Sequence, residues 1–112
     1  MPTPDTFTAK PPDAFAERHP ELLRQLREVL AKYPVRAAYL FGSYARGDER
    51  PDSDVDVYVQ IDRSKGSFGL FELYDLHEDL KHATGREVDV ATDFSRHVWP
   101  FIEQDLILLY AY

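Results

Sequence analysis

The chain reads as a small α/β (α+β) domain: a mixed sheet of three to four strands with helices packed against it. Three observations predict this. Apolar residues recur at helical spacing over 15–33 and again over 68–83. Residues 54–61 alternate strictly between apolar and polar, the signature of a half-buried strand. The loop between the first two strands is too short for a crossover helix, so those strands can pair directly, as an antiparallel pair within a mixed sheet.

The elements follow in order. Residues 1–12 contain Pro2, Pro4, Pro11 and Pro12 with few large apolar groups, and read as a flexible or extended tail. The domain is expected to occupy 13–112. Asp13 is placed to cap a helix. Phe15, Leu22, Leu23, Leu26, Val29, Leu30 and Tyr33 share helical spacing, interrupted at Pro20. This predicts either two helical pieces or one helix starting near Pro20, ended by Pro34. Val35 to Phe41 is a short apolar strand stopped by Gly42. Residues 43–53 form a loop or a short helical turn. Asp54 to Ile61 is the clearest strand, with Val55, Val57, Val59 and Ile61 on an apolar face opposite a polar one. Ser67 is a candidate N-cap for a helix over Phe68–Ala83, stopped by Gly85. Glu87 to Thr92 is a third strand. Phe94 to Gln104 has helical character around Trp99 and Ile102, blurred by Pro100. Leu106 to Tyr110 is a helix end or a short fourth strand.

Composition narrows the function. Apolar residues make up 44% of the 112, as in a folded globular domain. The formal net charge is −7, from 13 basic and 20 acidic residues, the wrong sign for a protein that grips a nucleic-acid backbone. There is no cysteine, which excludes disulfides, thiol catalysis and thiolate metal sites. No apolar run reaches the ~18 residues of a membrane span, and no leader-like segment opens the chain; both point to a cytoplasmic protein without membrane contact.

The chemistry concentrates in Gly42-Ser43 and, ten residues later, Asp54-Val55-Asp56. Glycine permits close backbone approach, and a serine hydroxyl with free N–H groups suits a phosphate. Arg46 adds a cation for phosphate charge. Ser53 is either a ligand or a cap on its turn. Asp54 and Asp56, two apart on a strand, point to one face at roughly 6–7 Å, a spacing that favours a hard divalent cation such as Mg²⁺. Asp89 interrupts the alternation of another strand. Alone it also reads as an exposed edge position; beside the second strand it completes a trio of carboxylates for one metal, or for two about 3.5–4 Å apart. The histidines show no metal-ligand spacing and no Ser-His pair suggests a hydrolase. Tyr39, Tyr58, Tyr110 and Tyr112 are candidates for an interface, and Leu106–Tyr112 is either buried or a docking surface.

The string Gly-Ser-Tyr-Ala-Arg-Gly-Asp-Glu-Arg-Pro-Asp-Ser-Asp-Val-Asp-Val (residues 42–57) resembles the DNA polymerase beta-like nucleotidyltransferase superfamily, and in particular its minimal (MNT) branch. The resemblance extends over about residues 20–110. It implies a nucleotidyltransferase-like fold, Gly42 and Ser43 on the nucleotide phosphates, and Asp54, Asp56 and Asp89 on Mg²⁺, with Asp89 also activating the attacking hydroxyl. It further implies ATP as co-substrate. Stand-alone MNT domains of this size are similar to the antitoxins of HEPN/MNT toxin–antitoxin pairs, which transfer AMP to a tyrosine of the HEPN ribonuclease. A HEPN-type partner is therefore expected, since the chain has no room for an acceptor-binding domain. The alternatives are an antitoxin that only occludes its partner, and a nucleotidyltransferase with a small-molecule acceptor such as an aminoglycoside.

Overall fold

The computed structural model describes residues 9–94 and 96–111. Nine main elements succeed one another: α1 (Asp13–Arg18), α2 (Pro20–Leu30), β1 (Val35–Phe41), α3 (Gly42–Arg46), β2 (Val55–Ile61), α4 (Leu70–Thr84), β3 (Val88–Ala91), α5 (Trp99–Glu103) and β4 (Ile107–Ala111). The sheet runs β3-β2-β1-β4. β1 pairs antiparallel with β2 and with β4, whereas β2 and β3 are parallel, joined through α4. The expected small mixed sheet is therefore present, with four strands.

Of the two readings at Pro20, two helical pieces is the correct one. Proline disfavours helical backbone in the residue before it, and His19 leaves the helical region at φ −139°, ψ 63°. Pro20 then occupies the first position of α2, where its missing N–H costs nothing. Asp13 does not cap α1: it lies inside the helix, and Pro12 precedes it with no side-chain cap. Ser67 is likewise not a cap. α4 begins at Leu70, after Gly69, whose N–H is taken by the Glu72 carboxylate at 3.0 Å. A reaching glutamate in the first turn has displaced the nearer serine. The helix expected over 94–104 shrinks to the five residues of α5, because Pro100 fits only a first turn.

The main core lies on one face of the sheet. Val35, Ala38 and Leu40 of β1, Val55, Val57 and Val59 of β2, and Ile107 and Leu109 of β4 meet Phe15, Leu22, Leu26 and Leu30 of α1 and α2 and Leu76 and Leu80 of α4. The opposite face was expected to be polar and free of helices. It is not: Ala37, Tyr39 and Tyr58 gather with Trp99 of α5 and Leu106 in a second apolar cluster, flanked by Phe41 and Phe94. Tyr58 sits 5.2 Å from the Phe94 ring and 5.6 Å from Trp99. Tyr39 and Tyr58 are thus buried and unavailable to an interface, and Tyr110 is half-buried. Tyr112 lies outside the described residues. The apolar end of the chain is buried in β4 rather than presented for docking.

The last four residues of the expected tail, 9–12, are held. Lys10 donates its N–H to Leu106 and accepts from Leu108, both at 2.9 Å, forming a bridge beside β4. Residues 1–8 lie outside the described residues.

Two positions on α4 separate packing from exposure. Leu76 is fully buried and Leu70 is largely exposed. Leu76→Ala should cost about 2–5 kcal/mol in urea unfolding, and Leu70→Ala no more than about 0.5 kcal/mol.

Candidate active site

The site is set where β1 ends and β2 and β3 begin. Asp56 lies opposite Asp89 in the parallel register of β2 and β3, and opposite Phe41 in the antiparallel register of β1 and β2. Residues paired in register share a face. The two carboxylates are thereby held side by side, away from the main core. Asp54 precedes β2 by one residue, with the alternation that puts it on the side of Asp56, and it is exposed.

Gly42 closes the other side. Its φ is +73°, and a Cβ built there would stand 2.1 Å from the Asp56 carboxylate oxygen. Both facts require glycine: an L side chain is strained at that φ and has no room. The backbone of the Gly42–Ser43 turn therefore rests against Asp56. From Gly42 the chain enters the single turn of α3, whose start carries no side-chain cap. The Ser43 carbonyl accepts the N–H groups of Gly47 at 2.9 Å and Asp48 at 3.1 Å, which folds the loop back on itself.

Burial and like charge act together on Asp56. Its pKa is raised to about 6, chiefly by burial, then by the charges of Asp89 and Asp54 and a hydrogen bond to Asp89; Arg46 opposes the rise. The site is short of positive charge, and its hard carboxylate oxygens suit a hard cation. Arg46 itself lies 3.3 Å from Asp48 and 3.5 Å from Asp105, and is tied between its own loop and the end of α5. Ser53 has a turn-holding role: its hydroxyl accepts the Arg50 N–H at 2.8 Å, and its own N–H donates to the Arg50 carbonyl at 3.0 Å. That closed turn delivers Asp54 to the strand.

Sequence reasoning missed the anchor of the loop. Tyr44, 1% exposed, plugs α3 into the core. Arg86 donates to its hydroxyl at 2.7 Å and lies 5.8 Å from its ring centre, and Arg18 donates to its carbonyl at 2.8 Å. His19 packs edge-on against the same ring and meets the Glu49 carboxylate at 2.7 Å. An aromatic residue inside a loop of small and charged ones was the available signal. Also unanticipated is an open groove of about 480 Å³ lined by Leu70, Leu73, Tyr74, His77, Asp89 and Val90. One of its lining residues, Asp89, is a site carboxylate.

Two outcomes test this geometry. Folded Asp56 holds its proton more tightly than the unfolded chain does, so stability from this group is present at low pH and lost as pH rises through about 6. In EDTA, Asp56→Asn should therefore be more stable than the parent at pH 8, by about 1–2 kcal/mol once solvent screening is allowed for. The difference should vanish near pH 4; urea midpoints at both pH values measure it. Tyr44→Phe should cost about 1–2 kcal/mol by leaving Arg86 without its hydroxyl partner, read by the same unfolding curves.

The polymerase beta nucleotidyltransferase family model matches residues 24–108. Two Methanocaldococcus jannaschii proteins, provisionally named protein adenylyltransferases, are similar. One is 41% identical over 92 residues, covering 78% of this chain and 90% of that protein. The other is 38% identical over 77 residues, covering 69% and 80%. Protein adenylyltransferase MntA of Thermococcus cleftensis is 34% identical over 64 residues, covering 57% and 62%. Among solved structures, a chain of a toxin–antitoxin crystallised with AMP-PNP shares the fold at a TM-score of 0.67, with 20% identity, over 80% of this chain and 73% of that one. A chain from the complex of tri-AMPylated Shewanella oneidensis HEPN toxin with MNT antitoxin does so at 0.51, with 19% identity, over 89% and 72%. With a family model matching residues 24–108 and a relative 41% identical over 92 residues, the chain belongs to the polymerase beta nucleotidyltransferase family.

Proposed function

We propose that this chain transfers AMP from ATP to a hydroxyl, that of a tyrosine, on a HEPN-type ribonuclease toxin in the cytoplasm, and so acts as its antitoxin. The observation that carries the reading is the pairing of Asp56 with Asp89 beneath the backbone of Gly42. The names of the similar proteins support adenylyl transfer to protein, and the solved relatives support a toxin as the acceptor.

The residues divide the work by position. Gly42 and Ser43 receive the phosphates, with Arg46 and Ser53 beside them. Asp56 and Asp89, with Asp54 beside them in sequence, would hold one or two Mg²⁺ ions. Among the described residues no three acidic or imidazole groups are gathered closely enough to hold a metal by themselves. The ion would therefore rest on the Asp56–Asp89 pair, with water and phosphate oxygens completing its shell. When bound, the metal neutralises phosphate charge and steadies the departing pyrophosphate.

The step balances without a further reactant. The acceptor hydroxyl oxygen attacks the α-phosphorus and forms a new O–P bond. The bond from that phosphorus to its bridging oxygen breaks, and pyrophosphate leaves with the electron pair. Asp89, nearest the open groove, takes the hydroxyl proton. The protein's contribution is position and charge rather than covalent chemistry.

Incubation with ATP, Mg²⁺ and the purified product of the adjacent gene tests the reading by intact-protein mass spectrometry. The acceptor should gain the mass of one or more AMP groups. Asp54→Ala, Asp56→Ala and Asp89→Asn should each lower the rate by about 10²–10³-fold or more while remaining folded. Full neutralisation of the toxin by these variants, with no mass gain from the parent protein, would establish occlusion instead. Chelation by EDTA should abolish transfer, and added Mg²⁺ should raise the melting temperature of the parent chain but not of Asp56→Ala.

A further inference from the structure

The groove that Asp89 helps to line is not used by any step above except at that one carboxylate. Its walls are the outer side of α4 and the edge of β3, the last strand of the sheet on that side. Leu70 and Tyr74 are 79% and 61% exposed, and Phe71 beside them is 84% exposed. Nearly all other large apolar side chains of α2, β1, β2 and α4 are covered. The groove thus brings Leu70, Leu73 and Tyr74 of α4 to the same cavity as Asp89.

Carboxylates outnumber cations on this side of the molecule. Of the α4 carboxylates, Glu72 accepts the Gly69 N–H and Asp79 the Tyr33 hydroxyl, while Asp75 and Glu78 follow Tyr74 and His77 in sequence; Asp89 and Asp93 lie at and after β3. On the basic side, His77 lines the groove, and Lys81 lies 3.9 Å from Glu78 and 3.6 Å from Glu87, already balanced. Arg63 lies beyond Leu70 and Leu73, where it donates to the Phe68 carbonyl at 3.2 Å. An occupant that complements this rim carries basic residues on either side of an apolar one.

We infer that this groove seats the acceptor segment: a stretch of the partner protein that lays an apolar or aromatic side chain between Leu70, Leu73 and Tyr74. Its flanking basic residues meet the acidic rim of α4, and its hydroxyl arrives at Asp89. The free edge of β3 gives an extended segment backbone groups to pair with. The inference rests on the adenylyl-transfer reading, since it explains how this domain positions a macromolecular acceptor.

The test uses the full chain, ATP and the purified product of the adjacent gene. Leu70→Asp and Tyr74→Ala alter exposed positions, and each is first checked for an unchanged melting temperature. Both should raise the KM for the acceptor at least about tenfold while kcat at saturating acceptor and the Kd for a fluorescent ATP analogue stay within about twofold of the parent. The double variant Asp75→Lys/Glu78→Lys should raise the same KM and flatten its dependence on salt. A parent chain that transfers AMP, with unchanged KM in all three variants, overturns the groove and leaves adenylyl transfer standing. A parent chain that transfers nothing to the acceptor overturns the adenylyl-transfer reading and the inference with it. A parent that sediments as a dimer, made monomeric by Leu70→Asp with KM unchanged, assigns the groove to a second copy and overturns the inference as well.

Discussion

Two carboxylates that repel one another are fixed side by side, and the rest of the architecture keeps them there. Asp56 and Asp89 belong to strands in parallel register, and only a crossover through α4 can bring a third strand alongside β2 in that direction. α4 in turn must bury Leu76 and Leu80 against the sheet, which fixes how far β3 slides along β2. On the other side the antiparallel pair of β1 and β2 ends at Phe41 and Asp56, so the turn that follows β1 has nowhere to go except across the carboxylate. Gly42 is the residue that permits this crossing. The electrostatic cost of the pair is borne by packing elsewhere, and burial of one carboxylate turns that cost into affinity for positive charge.

Tyr44 converts a five-residue turn into a rigid part. A helix so short has no stability of its own. Arg18 of α1 holds the Tyr44 carbonyl, His19 at the α1–α2 junction packs against its ring, and Arg86, three residues before Asp89, donates to its hydroxyl. The Gly42–Ser43 turn and the strand that carries Asp89 therefore share a fastener. Arg46 adds a second link, from the same turn to the end of α5. The loop has few residues to move independently of the strands it joins.

Much of this was legible in the sequence. The spacing from Gly42-Ser43 to Asp54 and Asp56, the alternation of β2, and the single Asp in β3 were enough for the sheet, the order of elements and the carboxylate pair. These signals are local, or rest on a fixed distance along the chain. What escaped reading depends on contacts between distant segments. The choice of Glu72 over Ser67 to begin α4 depends on a side chain reaching backward, which spacing alone does not decide. The second apolar cluster was hidden because Tyr58 counted as a polar position in an alternating strand and Tyr39 as a candidate for an interface, whereas both are buried in the cluster that holds Trp99. Lys10 was assigned to a tail because nothing near it in sequence announces β4 as its partner. The exposed face of α4 went unnoticed because the helix was read for its inward positions, Leu73, Leu76, Leu80 and Ala83, and the apolar residues left outside them, Leu70, Phe71 and Tyr74, have no pattern of their own.

The sheet has two faces with different duties. Most of the buried apolar mass lies on the side of α1, α2 and α4, while the carboxylates occupy the other side and the rim. The residues that keep the chain folded are thus largely separate from those that meet the substrate. In evolutionary terms the two sets can drift apart: a lineage can rewrite exposed positions on the outer side of α4, such as Leu70, Phe71 and Tyr74, without eroding its fold. On the proposed seating of the acceptor, selection for a new one would act on a surface of few constraints, beside carboxylates that stay as they are.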